Sequence, residues 1–152
     1  GALKEMSMAL VDTLRITTVS VAKDRVEATM PITPDLFQPF GFLHGGATIA
    51  LLETVASIGT EQSTDFDVER PFGIDVHVRH RKSGTAGLLR GVAELEREEP
   101  ARSGGVKQFW RVTAFDDEGD VVSDGAIMTK IVPLARLEEK ARERAASREQ
   151  VL

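Results

Sequence analysis

The sequence predicts an α+β domain in which an antiparallel sheet of about six strands wraps one long helix. Two observations carry this. Residues 45–59 read Gly-Gly-Ala-Thr-Ile-Ala-Leu-Leu-Glu-Thr-Val-Ala-Ser-Ile-Gly, apolar or small on every face, the pattern of a helix buried all round. Around it lie six runs rich in β-branched residues or alternating apolar with polar ones, two before the helix and four after it. A sheet that covers one helix on most sides must curl around it.

Each element follows from its local pattern. Residues 2–10 are mildly amphipathic and suit a short leading helix. Ile16, Thr18, Ser20 and Ala22 alternate with Thr17, Val19 and Val21, which suits a strand. Lys23-Asp24-Arg25 forms a turn, and 26–32 returns as the second strand of a hairpin. Pro31, Pro34 and Pro39 punctuate the approach to the helix. Residues 63–71 read as polar and irregular. Beyond them Ile74, Val76, Val78 and His80 share one strand face, and Asp75, His77, Arg79 and Arg81 the other. Further strands are expected at 88–97, 107–115 and 121–132, with Asp116-Asp117-Glu118-Gly119 as a hairpin turn. The order is β-β-α-β-β-β-β. Residues 1–133 form a single domain on this reading, and 134–152 a charged helical tail.

Composition narrows the function. The 152 residues are 41% hydrophobic and 28% charged, as in an ordinary globular domain. A net charge of −5 argues against nucleic acid as a partner. With no cysteine there is no disulfide frame, thiolate metal site or cysteine nucleophile. The three histidines, His44, His77 and His80, give no tetrahedral metal set, so no metal is expected. No apolar run reaches the roughly 18 residues of a membrane span. The first residues lack a signal-peptide layout, and a cytoplasmic location is expected.

The chemistry concentrates between Gln38 and Ser57. Glu53 stands in the middle of the apolar helix with no Lys or Arg in that helix. A buried, unpaired carboxylate costs several kcal/mol, and chemistry is a common reason to keep one. Upstream, Gln38-Pro-Phe-Gly-Phe-Leu-His44 enters the helix at Gly45-Gly46. The first N–H groups of a helix have no intrahelical partner and suit a developing oxyanion. Glycines there let a ligand carbonyl approach the backbone. Gln38 and His44 can donate to that carbonyl. Ser57, four residues after Glu53, shares its face and can hold the carboxylate or a water. Read singly, a Gly-Gly cap, a loop histidine or a helical serine means little. Together they are a kit for acyl transfer, most simply hydrolysis of a thioester.

This constellation resembles the signature of hotdog-fold acyl-CoA thioesterases, over about residues 14–132. The nearest branch comprises 1,4-dihydroxy-2-naphthoyl-CoA, Arthrobacter-type 4-hydroxybenzoyl-CoA and phenylacetate-pathway thioesterases. The resemblance implies Glu53 as nucleophile or general base. It implies the Gly45 N–H as the group polarising the carbonyl, and Gln38 and His44 as positioning the carbonyl and leaving thiolate. Ser57 supports Glu53. It also implies a homodimer whose site spans the interface, and a tetramer of two such dimers. Gly73, His80, Arg81, Lys82 and Ser83 resemble the strand and turn that hold coenzyme A phosphates. A cluster of Arg79, Arg81 and Lys82 also suits phosphate on electrostatic grounds. The 97–105 hairpin is longer than in that branch, and Ser103, Gly104 and Gly105 are candidates for nucleotide contact. Coenzyme A enters as part of the substrate, and no separate cofactor is expected.

The competing reading is a non-catalytic acyl-CoA-binding sensor or regulator of the same fold, which has no need of Glu53. A hydratase of that fold would want an Asp/His pair that the motif lacks. Phe37, Phe40, Phe42, Phe66, Phe72 and Ile58 can line an acyl pocket, and aryl, naphthoyl and medium-chain acyl groups all remain compatible.

Overall fold

A computed structural model describes residues 9–102 and 104–151. The elements in order are α1 (Ala9–Thr13), β1 (Thr17–Val21), β2 (Arg25–Pro31), a 3-10 turn (Pro34–Leu36), α2 (Gly45–Glu61), β3 (Glu69–His80), β4 (Leu88–Pro100), β5 (Val106–Phe115), β6 (Val121–Pro133) and α3 (Leu134–Val151). The six strands form one sheet in the order β1-β2-β4-β5-β6-β3, antiparallel throughout. The arrangement is the one the sequence pattern predicts, with α2 held in the curl of the sheet, and it agrees with the hotdog fold that the family resemblance implies. Residues 2–8 of the expected leading helix lie outside the described residues.

The core forms where α2 meets the sheet. Leu51, Leu52, Val55 and Ala56 are fully buried against Met30, Leu89, Trp110 and Ile127. Burying one such aliphatic side chain contributes roughly 1.5–3 kcal/mol. Gly59 lets the helix press onto the sheet: a Cβ there would stand 2.3 Å from the Trp110 ring. Beside it the Trp110 indole donates to Thr129 Oγ1 at 3.0 Å, and Thr129 pairs with Thr60 Oγ1 at 2.6 Å. This buried polar chain fixes the C-terminal half of α2 in azimuth and register, and with it the face that carries Glu53.

Three expectations need correction. The helix is not buried all round. Thr48, Leu51, Leu52, Val55, Ala56, Gly59 and Thr60 face the sheet, while Ala50, Glu53, Thr54, Ser57 and Ile58 are only half-buried and Glu61 is exposed. Hydropathy registers that a face is apolar or small, not what covers it. The polar stretch at 63–71 is also shorter than expected, because β3 begins at Glu69. Pro71 is tolerated there because β3 is an edge strand, paired with β6 alone. Likewise β4 runs to Pro100, so the 97–105 segment is mostly paired strand closed by a short turn, Ala101 N–H to Gly105 O at 3.1 Å.

Candidate active site

The loop before α2 is a miniature hairpin. Phe37 and Leu43 form a bridge, Gln38 N–H donates to Phe42 O at 2.8 Å, and Gly41 takes φ +91° at the tip. Gln38 Oε1 accepts the Phe40 N–H, which leaves the amide NH₂ as its free donor. His44 is the N-cap of α2, its Nδ1 accepting from Gly46 N–H at 2.8 Å. A neutral ring bonded this way carries its proton on Nε2. Ala47 N–H donates to His44 O. Of the first three helical donors, only Gly45 N–H has no partner among the described residues.

Gly45 and Gln38 open into a cleft of about 180 Å³ shared with His80, Lys82 and Ser83. His80 is held by Ser123, Nδ1 to Oγ 2.7 Å, and its Nε2 lies 2.6 Å from where a Gly45 side chain would begin. The backbone at Gly45 is bare because the imidazole needs that space.

Glu53 lies elsewhere. Eight residues separate it from Gly45, about 12 Å along the helix. One chain's Gly45 N–H and its own Glu53 therefore cannot serve the same carbonyl. Glu53 and Ser57 line a separate groove of about 460 Å³ together with Leu10, Val11, Ala50 and Ile58. The Glu53 carboxylate makes no hydrogen bond or ion pair with any described residue. It rests against Gly73, where a Cβ would come within 2.7 Å of Oε1. Gly73 thus lies beside the carboxylate on β3, next to the irregularity between Gly73 and Asp75.

The basic residues are less free than their sequence suggests. Lys82 Nζ lies 2.6 Å from Asp116, 2.8 Å from Asp120 and 3.6 Å from Glu118. These bonds push the Lys82 pKa up and hold Asp116 below the usual carboxylate value. Arg81 Nε contacts both Asp124 oxygens at 2.9 Å. Arg79 alone of the three has no carboxylate partner among the described residues. A phosphate reaching Lys82 or Arg81 must therefore compete with carboxylates already in place. Sequence spacing gave no sign of these partners, which sit 34 to 43 residues away on another hairpin.

The structure does not gather all the nucleotide candidates. Gly104 and Gly105 pack against Pro133 and Ile131, whereas Arg81 and Lys82 bond Val122. Nine residues of β6 separate these ends, about 30 Å of strand. Ser103 lies outside the described residues.

The chain is similar in sequence and fold to known proteins. The family described as a domain of unknown function (DUF4442) matches residues 3–131. The 1,4-dihydroxy-2-naphthoyl-CoA hydrolase of Escherichia coli is 31% identical over 112 residues, covering 74% of this chain and 78% of that enzyme. The enzyme of the same name from Listeria monocytogenes is 36% identical over 110 residues, covering 72% and 85%. Among solved structures, a variant of a Staphylococcus aureus thioesterase superposes with a TM-score of 0.74 at 27% identity, covering 82% of this chain and 98% of that one. A Haemophilus influenzae thioesterase gives 0.73 at 25%, covering 86% and 87%.

Proposed function

Since the chain belongs to the hotdog-fold acyl-CoA thioesterase family, matching DUF4442 over most of its length, we propose that Glu53 of one subunit and Gly45, Gln38 and His44 of another hydrolyse an acyl-CoA thioester between them. The carrying observation is the separation within one chain: an unpaired carboxylate in one groove, an unpaired backbone donor in another, about 12 Å apart along a single helix.

A second copy supplies what each half lacks. The face of α2 that the sheet leaves open is built of Ala50, Thr54, Ser57 and Ile58 around Glu53, and small residues permit close approach. The edge strand β3 exposes Phe72, Ile74 and Val76 along an unpaired backbone, an aggregation hazard unless something covers it. A two-fold dimer that pairs this edge covers both surfaces and produces two equivalent sites.

In such a site the thioester oxygen points at the Gly45 N–H, with the Gln38 amide beside it as a further donor, while His44 lines a neighbouring groove with Gly46, Ala47 and Ala50 and caps the helix that presents Gly45. The two donors stabilise the negative charge that grows on that oxygen as the carbonyl carbon becomes tetrahedral. Glu53 either attacks that carbon, expelling coenzyme A thiolate and leaving an anhydride that water opens, or takes a proton from the attacking water. Both routes end in the free acid and coenzyme A. Ser57 stands one turn from Glu53 and holds the carboxylate or its water. The cleft beside His80, Lys82 and Ser83 receives the coenzyme A arm, and no other cofactor is called for. No helix among the described residues is long and apolar enough to cross a membrane; we place the enzyme in the cytoplasm, where coenzyme A esters are made.

Thiol release from a panel of acyl-CoAs tests the assignment. Glu53→Gln keeps the shape of the side chain and removes its charge. We expect kcat to fall by about 10³ or more, with the fold intact by circular dichroism. A folded Glu53→Gln enzyme with near wild-type turnover would remove Glu53 from the chemistry.

A further inference from the structure

Glu53 shares its helix face with a second carboxylate. Ser57 and Glu61 follow Glu53 at intervals of four residues, so the three stand in one row along α2. Glu61 lines the same 460 Å³ groove as Glu53, whose walls are Leu10, Val11, Ala50 and Ile58. It also borders a cavity of about 80 Å³ with Ser57, Phe72 and Gly73.

The Glu61 carboxylate is exposed and unengaged within the chain. The Glu61 side chain makes no hydrogen bond or ion pair with any described residue. It ends the helix, where the negative pole of the dipole disfavours an anion. The residue as a whole is exposed, yet desolvation by its neighbours raises its carboxyl pKa above the ordinary glutamate value. Glu61 thus presents an acceptor that the chain leaves unused to the groove in which Glu53 stands.

We propose that Glu61 is a specificity-determining residue, reading a hydrogen-bond donor at the far end of the acyl group whose thioester carbon meets Glu53. This rests on the role of Glu53 given above. The eight residues between the two carboxylates span about 12 Å. An attack distance of about 3 Å at one end and a hydrogen bond of about 3 Å at the other leave roughly 6 Å. That is the reach of one benzoyl ring with its para substituent, or of a short straight chain with a terminal group. An ionised carboxylate only accepts hydrogen bonds, so it favours an alcohol, phenol or ammonium and repels a terminal carboxylate. A site built to bond a hydroxyl rejects the analogue that lacks one far more strongly than an apolar pocket rejects an added group.

Two matched pairs test this by kcat/KM: benzoyl- against 4-hydroxybenzoyl-CoA, and pentanoyl- against 5-hydroxypentanoyl-CoA. Wild type should favour the hydroxylated member of at least one pair by about tenfold or more. Glu61→Leu should erase that preference, losing rate on the hydroxylated substrate while holding or gaining on its plain partner. Glu61→Gln, which can still accept, should keep part of it. A general loss of structure would lower both members alike and leave the ratio unmoved. An unchanged ratio in Glu61→Leu, or no preference by wild type in either pair, would overturn the role of Glu61 while leaving the thioesterase reading in place. Absence of thiol release from all four substrates by wild type would overturn both.

Discussion

Gly73 has no side chain, and the Glu53 carboxylate occupies the space that one would take. The contact lies between the tip of a flexible side chain and a strand backbone, so a methyl group at position 73 displaces the carboxylate more readily than it disrupts the sheet. Gly73→Ala should therefore reduce kcat by about tenfold or more, because near-attack geometry tolerates little displacement. Its thermal midpoint should change little. A large loss of stability with unaltered kcat would mean that the glycine serves packing alone. Gly45 repeats the logic: its missing Cβ makes room for the His80 ring, which Ser123 holds in place. The role of Gln38 as a donor also follows from a local bond, since its carbonyl accepts the Phe40 N–H within the loop, while His44 spends its Nδ1 on the Gly46 N–H in the first turn of α2.

At the scale of elements, the β5–β6 hairpin grips the loop after β3. Lys82 sits among Asp116, Glu118 and Asp120, and the Asp117 carboxylate accepts the Leu88 N–H. The sign of the pH dependence follows from the shifts. Asp116 titrates below its ordinary 3.8, so its contribution is present above that pH and lost as pH falls through the depressed value. Lys82 titrates above the ordinary lysine range, so its contribution holds through neutral pH and is lost only in strong alkali. In Lys82→Met, the Asp116 carboxyl midpoint read by carbon NMR should rise toward 3.8. A midpoint that stays put would show that Lys82 does not hold the turn. Local patterns revealed the elements but not this grip. Alternation located β4, β5 and β6, and the apolar run located α2, because those signals are written in consecutive residues. The start of β3 at Glu69 was hidden by a polar stretch and by Pro71, which only an edge strand accepts. The carboxylates around Lys82 and Arg81 come from distant positions, so the basic cluster looked freer in the sequence than it is in the fold.

For the whole molecule, the question is what completes a chain whose two reactive halves face different ways. The sequence made Glu53 conspicuous by setting a charge among apolar neighbours, and it placed Gln38, His44, Gly45 and Ser57 in order. It could not show that the helix has a sheet-covered face and an open one, since hydropathy is the same whether a sheet or another subunit does the covering. The open face of α2 and the exposed edge of β3 are the surfaces on which the account rests. The most direct test mixes two inactive chains, Glu53→Ala and Gln38→Ala, after dissociation and reassociation. In a two-fold dimer each heterodimer contains one intact site and one doubly damaged site. Random pairing should thus restore about a quarter of wild-type thiol release per subunit. Recovery near that level would establish a site built from two subunits. No recovery, with heterodimers shown to have formed, would contradict the shared site and require Glu53 and Gln38 to act within one chain.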